Sequence, residues 1–233
     1  MLKINSLSKT YANGKVGVQN LSLSVKPGDI CAFIGPNGSG KTTTIRCIVG
    51  TLDFENGEIL INNHSVKSEP LACKQITAYI PDNPDVYTTL TGNEYLNFVA
   101  SVYRISAAER DKAIQYYSEQ WQLTQDLGLP IKSYSHGMRQ KLVLIAAFMR
   151  NPKLLVLDEP FVGLDPQASY TLKNIMRDFV KNGGAIFYST HVLEVAEKLC
   201  NKVVMIKNGS IIKQGTMQEI KADKSLEEVF LNA

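Results

Sequence analysis

Apolar and polar residues alternate from Leu2 to Tyr11 and again from Val16 to Val25, on either side of Ala12-Asn13-Gly14. A period of two flanking a short glycine-containing turn predicts a two-stranded hairpin. Pro27-Gly28-Asp29 then makes a turn, and Ile30 to Ile34 is a short, wholly apolar run of the kind a buried strand has. A glycine-rich loop follows at once, and helix-like sequence runs from Lys41 to about Val49. Gly57 to Ile61 and Gln75 to Ile80 read as further strands.

The period changes in the middle of the chain. From about Thr91 to Gln122 apolar positions recur at helical spacing: Tyr95, Phe98, Val99 and Val102, then Ala113, Tyr116, Tyr117 and Trp121. A second helix, about Gly137 to Met149, follows a polar loop. Strand and helix then alternate: Leu154 to Leu157 is a strand, and Pro166 to Val180 is a helix with proline in its first turn. Ala185 to Ser189 is a strand, Leu193 to Leu199 a helix, and Val203 to Ile206 a strand leading to Asn208-Gly209. Such alternation predicts an α/β layered fold with a mostly parallel sheet and an antiparallel β portion at its N-terminal side. A helical subdomain at 84–150 is expected to be inserted between core segments 1–83 and 151–233, all within one domain.

Composition changes this picture little. The 233 residues can bury a full core, and 44% hydrophobic with 20% charged residues excludes disorder and collagen-like repeats. A formal net charge of +3 gives no case for nucleic acid as a partner. Cys31, Cys47, Cys73 and Cys200 are widely spaced without a C-x-x-C, as small buried residues in a reducing compartment would be. The longest apolar run, Leu142 to Met149, falls short of the roughly 18–20 residues that cross a bilayer. Met1-Leu2-Lys3-Ile4-Asn5-Ser6 turns polar too early for a secretory signal, so a cytosolic chain is expected.

The chemistry begins at Gly35-Pro36-Asn37-Gly38-Ser39-Gly40-Lys41-Thr42, a complete G-x-x-x-x-G-K-[ST] between an apolar strand and a helix. Glycines let the backbone curl so that successive N–H groups point at phosphate oxygens, and the helix contributes the positive end of its dipole. Lys41 is expected to reach the β and γ phosphates, and the Thr42 hydroxyl to ligate Mg²⁺. Thr43 follows in the same turn.

Leu154 to Glu159 is a buried-type strand ending in two carboxylates. Ligands of parallel α/β sheets sit at the carboxyl ends of strands, where the phosphate loop also lies. Side chains alternate along a strand, so Asp158 and Glu159 are expected to diverge. Asp158 would hold the metal, directly or through its water, and Glu159 would orient and deprotonate the attacking water. Ser135-His136-Gly137-Met138-Arg139-Gln140 opens a helix with Ser135 as N-cap, a second candidate anion site.

In order and spacing these segments resemble the nucleotide-binding subunits of ABC transporters over essentially the whole chain, a P-loop NTPase fold. The phosphate loop resembles their Walker A, and Leu154 to Glu159 their Walker B with its catalytic glutamate. Tyr134-Ser135-His136-Gly137-Met138 stands where the family has Leu-Ser-Gly-Gly-Gln. Gly163-Leu164-Asp165 resembles the D-loop, His191 the switch histidine, and Tyr11 the aromatic that stacks on adenine. The variant signature, Tyr79-Ile80-Pro81-Asp82 and the short tail most resemble the branch serving ABC-2-type exporters. The resemblance implies ATP and Mg²⁺ as cofactors and a head-to-tail pair, a homodimer or a heterodimer with a second ABC ATPase. Ser135, Gly137 and Asp165 would then act on nucleotide held by the other chain, and His191 on the γ phosphate. It also implies an integral membrane permease, whose coupling helices the helical subdomain receives, and a place at the cytoplasmic face of the membrane. Only Ser135 and Gly137 match the commonest signature, the two positions that offer phosphate a hydroxyl and an open backbone. Asp82 replaces the usual Q-loop glutamine, and three roles stay open for it: metal ligand, coupling to the partner, or a solvent-facing carboxylate.

Other classes fit less well. A GTPase would carry N/T-K-x-D, and Asn201-Lys202-Val203-Val204 lacks the aspartate. A small-molecule kinase has no use for the serine-capped second site. An ABC-type ATPase acting on a soluble assembly is the alternative reading, and a non-hydrolysing module is opposed by Glu159 together with His191.

Overall fold

The computed structural model describes residues 1–232. Its first sheet joins β1 (Leu2–Thr10), β2 (Val16–Val25), β4 (Asn56–Ile61) and β5 (His64–Ser65) in the order β2-β1-β4-β5, all antiparallel. The second sheet has the order β10-β9-β3-β8-β7-β6. Here β3 (Ile30–Ile34), β6 (Thr77–Ile80), β7 (Leu154–Asp158), β8 (Ala185–Thr190) and β9 (Lys202–Lys207) run parallel, and β10 (Ser210–Thr216) closes one edge antiparallel to β9.

Burial on both faces explains why the inner strands β3, β7 and β8 of this sheet are almost wholly apolar. Ile30, Ala32 and Ile34 face one buried cluster together with Leu155, Leu157, Ile186 and Tyr188, while Cys31 and Phe33 face another with Leu154, Val156 and Phe187. Both faces are covered, so an alternating pattern would have exposed polar groups to a dry core. The second cluster lies between the sheets and packs α1 (Lys41–Ile48) through Ile45 and Ile48. The first cluster joins the sheet to α5 (His136–Met149), α6 (Pro166–Lys181) and α7 (Leu193–Leu199), and continues into the helical segment through Leu96, Trp121 and Phe148.

Four places differ from the sequence expectation. Residues Gln75 and Ile76 close a helix, α2 (Pro70–Ile76), and the strand starts at Thr77. The stretch from Thr91 to Gln122 is two helices, α3 (Gly92–Val102) and α4 (Ala107–Gln120). The chain turns between them at Arg104, in the left-handed region (φ 55°), and Ser106 with Glu109 forms a capping box that restarts the helix. After Asn208-Gly209 the chain adds β10, α8 (Met217–Lys221) and α9 (Leu226–Leu231), each of these helices opened by a capping box. Finally, the strand ends at Asp158, and Glu159 has a left-handed backbone (φ 48°). A turn therefore separates the two carboxylates, where strand alternation was expected to do so. Among the described residues no helix is long and apolar enough to cross a membrane, and the four cysteines are free and buried.

Candidate functional site

Strands β3, β7 and β8 are neighbours and parallel, so the loops after Ile34, Asp158 and Thr190 emerge at one edge of the sheet. The loop after β3 is shaped by glycines where a side chain would clash or strain the backbone. A β-carbon on Gly35 would lie 2.4 Å from the Ile206 carbonyl, and one on Gly40 would lie 2.5 Å from that of Gly17. Gly38 and Gly40 have φ of 77° and 109°. Gly40 is the N-cap of α1 and supplies no side chain to that helix end, so its first N–H groups are left for a ligand. The buried Lys41 bends back across the loop, its ammonium donating to the carbonyls of Gly35 (2.6 Å) and Pro36 (3.2 Å). Burial lowers its pKa, and the carboxylates of Glu159 and Asp158 oppose that shift. Pro36 and Asn37 are exposed at the tip of the loop, whereas Ser39 is buried and its carbonyl accepts from the Gly209 N–H (2.9 Å).

Opposite the loop, Asp158 is 4% exposed. The Ser189 hydroxyl donates to its Oδ1, and the Thr42 hydroxyl lies 3.4 Å from its Oδ2. Burial raises the Asp158 pKa and the two hydroxyls hold it down, while the charges of Asp82 and Glu159 add to the rise. A cation would relieve both burial and repulsion. Thr42 and Asp158 form the hard oxygen pair that Mg²⁺ takes, so the residues present fit that ion. Among the described residues no three His, Cys, Asp or Glu side chains converge to hold a metal unaided.

Glu159 leaves β7 in its left-handed turn, its N–H bonded to the Ser189 carbonyl (3.2 Å). Its Oε1 lies 2.8 Å from Nδ1 of His191, which is 62% exposed at its side chain against 17% for Glu159. This is a carboxylate held by an imidazole at the mouth of a cleft, the arrangement a general base needs. A cavity of about 440 Å³ joins these parts, with Tyr11, Asn37, Gly38, Gly40 to Thr43, Asp82, Asp158 and Glu159 on its walls. The Tyr11 hydroxyl is 2.9 Å from that of Thr43, which pins the ring beside the loop. Asp82 is exposed on the far wall, one oxygen accepting the Asn83 N–H (2.8 Å).

His191, Gly35, Pro36 and Ser39 adjoin the lining residues in sequence or by hydrogen bond without lining the cavity themselves, and Ser135, Gly137 and Asp165 do not line it either. Ser135 caps α5, accepting the Met138 N–H at 3.2 Å, and is exposed. Asp165 caps α6 through the Ala168 N–H (2.7 Å) and pairs with Lys141 of α5 (3.0 Å). These bonds, the capping one first, depress its pKa. Ser189 and Lys141 were not singled out in the sequence. The partnership of Ser189 with Asp158 arises from the register of β7 on β8, which sets the two side by side.

The profile of the ABC transporter family matches residues 18–162, more than half of the chain. The ABC-type transporter ATP-binding protein EcsA of Bacillus subtilis is 32% identical over 236 residues, spanning 99% of this chain and 95% of the relative. The SkfA peptide export ATP-binding protein SkfE of the same organism is 34% identical, over 91% of this chain and 88% of its own length. A solved structure of an ATP-binding subunit of an ABC transporter superposes with a TM-score of 0.96 at 33% identity, covering 100% of this chain and 98% of that one.

Proposed function

The chain belongs to the ABC transporter family of ATP-binding proteins, and from that premise we propose that it is the ATP-hydrolysing motor of an exporter whose membrane-spanning permease is a separate chain. The observation that carries this reading is the Glu159–His191 pair, 2.8 Å apart, whose Glu159 lines the same cavity as Lys41 and Asp158. ATP enters with its adenine on Tyr11 and its phosphates in the loop from Gly35 to Thr43. Lys41 exchanges the Gly35 and Pro36 carbonyls for β and γ phosphate oxygens, and the uncapped start of α1 supplies further N–H donors. Thr42 and Asp158 would hold Mg²⁺, which would neutralise charge on the phosphates, and Asp82, exposed on the same cavity wall, keeps the three roles left open for it. Glu159 takes the proton of the attacking water, and His191 steadies both Glu159 and the γ phosphate.

Ser135, Gly137 and Asp165 serve nucleotide bound by a second ATPase chain, either a copy of this one or a related cassette. Two observations support a partner at that face: Ser135 is exposed, and Val162 and Val192, beside the two catalytic loops, are 45% and 41% exposed. The segment 84–150 acts as the subdomain that receives the permease, at the cytoplasmic face of the membrane. In support, a cavity of about 230 Å³ opens between α1, α2 and Tyr103, and α3 exposes Phe98 and Val102. Export is supported by the signature variant and by the likeness to a peptide-export ATP-binding protein.

Glu159→Gln tests the reading. ATP binding should persist while turnover falls roughly 10²- to 10⁴-fold, the usual value of a general base, and an ATP-bound dimer should accumulate. Full hydrolysis by that variant would remove Glu159 from its role.

A further inference from the structure

Helix α7 begins two residues after His191 and has only 7 residues. Two turns do not hold a helix by propensity alone, so its neighbours must hold it. No side chain caps its start: Val192 stands at the N-cap position, and its own N–H is tied to the Thr190 hydroxyl (3.0 Å). Further along, Ala196 and Leu199 are buried in one cluster with Met217 and Ile220 of α8 and with Leu226 and Val229 of α9. The polar tie on this side is Glu197. Its Oε1 accepts from the ammonium of Lys221, the last residue of α8, and its Oε2 from the N–H of Leu226, the first residue of α9 (2.9 Å). These bonds, the Lys221 one first, hold the Glu197 carboxyl below its usual range. The turn between the two helices is strained. The Lys224 N–H returns to the Lys221 carbonyl (2.9 Å), and Ala222 has φ of 45° and ψ of −116°, the first central position of a II′ turn, which favours glycine. Such a turn persists where its surroundings hold both ends, and Glu197 grips one residue on each side of it.

We propose that Glu197 is a positioning residue for hydrolysis: by clasping α8 and α9 it fixes α7, and through α7 the place of His191 beside Glu159. The inference rests on the role given to His191 above and adds the element that sets its position. The apolar contacts of Ala196 and Leu199 keep α7 against the sheet, but burial has no direction and does not decide how far the helix slides or turns. The two bonds to one carboxylate do decide it. Only Val192 separates His191 from the helix, so a shift of α7 reaches the imidazole with little slack, and the 2.8 Å contact of Nδ1 with Glu159 is the one that gives. Without Glu197, α8 and α9 spread at the strained turn, α7 loses its directional tie, and His191 leaves Glu159 for part of the time.

The test compares Glu197→Ala, Glu197→Gln and Ala222→Gly in the purified full chain, by ATPase kinetics and by the imidazole resonances of isotope-labelled histidine. The chain has three histidines, so the His191 signal is the one that His191→Ala removes. Glu197→Ala should lower kcat about 3- to 10-fold at unchanged KM, the rate equivalent of one hydrogen bond to a partly exposed charge. It should also shift the His191 signal while those of His64 and His136 stay in place. Glu197→Gln keeps an oxygen for the Leu226 N–H and should recover most of both. Ala222→Gly relaxes the turn, leaves the Glu197 bonds intact and should match the wild type in both readings. A loss there would give the effect to the turn and overturn the role of Glu197. So would a lowered melting temperature in Glu197→Ala with wild-type kcat and an unmoved His191 signal, the mark of a purely structural bond, and the reading of the site would stand. Full-rate hydrolysis by His191→Ala would overturn that reading, and this inference with it.

Discussion

Two helices of this chain begin where phosphate is expected, and they are built on opposite rules. Helix α1 starts behind Gly40, which gives it no side-chain cap, and its first turn is largely buried, with Lys41 and Thr43 each 9% exposed. Helix α5 starts behind Ser135, whose hydroxyl already takes the Met138 N–H, and Ser135 and His136 are exposed while Gly137 to Arg139 are partly so. The first gathers the phosphate loop, Lys41 and the proposed metal and base carboxylates of one chain around a single cavity. The second has its own helix end satisfied and presents the remainder outward. An open N-terminus suits an anion that must be gripped, and a capped one suits an anion that is touched when another molecule brings it.

The sharpest way to break this distinction is to remove the grip alone. Lys41→Ala should weaken ATP binding by the single chain roughly 10- to 100-fold, the worth of one or two hydrogen bonds from a charged group. Ser135→Ala should leave that affinity unchanged. Equal losses in the two variants, read by nucleotide titration, would mean that both helix ends serve one bound nucleotide.

A pair of glycine substitutions sharpens the contrast on a smaller scale. In Gly40→Ala the new methyl meets the Gly17 carbonyl, which is backbone and cannot swing aside, at a φ of 109°. In Gly163→Ala it meets the exposed His136 ring, which can turn away, leaving chiefly the cost of a left-handed alanine. Denaturant unfolding should therefore show a loss of about 2–3 kcal/mol for Gly40→Ala and about 1 kcal/mol for Gly163→Ala. Only the first should lose ATP affinity.

The same contrast explains what could be read without coordinates. The phosphate loop is contiguous, its eight positions each doing a local job, so the sequence from Gly35 to Thr42 announces strand, turn and helix together. Asp158 and Glu159 were legible for the same reason, as the end of an apolar run. What stayed hidden is non-local or lacks a periodic signal. Ser189 meets Asp158 because β7 lies beside β8 in a particular register, and Lys141 meets Asp165 because two helices converge. The left-handed turn at Glu159 has no glycine to mark it. The apolar spacing continues across the break between α3 and α4, which the Ser106–Glu109 capping box marks in the sequence. The last strand and helices carry too few apolar positions to show a period, and their capping boxes, Thr216–Glu219 and Ser225–Glu228, were the available signal.

Asp82 tests the smallest difference, because it stands on the wall of the first site yet is itself exposed. Two consequences of Asp82→Asn oppose one another. Losing a negative charge weakens attraction for Mg²⁺, by about 2- to 5-fold for an exposed charge. It also lowers the pKa of Asp158, which burial raises first and Asp82 raises further, so the metal oxygen is more readily ionised. At alkaline pH Asp158 is ionised with or without Asp82, only the first effect remains, and the variant should need more Mg²⁺ to bind nucleotide. As pH falls, Asp158 takes up its proton sooner in the wild type than in the variant, so the gap should narrow. Magnesium titrations of nucleotide binding across pH decide this. A variant that tracks the wild type at every pH would place Asp82 outside the metal's reach, leaving Thr42 and Asp158 to hold the ion.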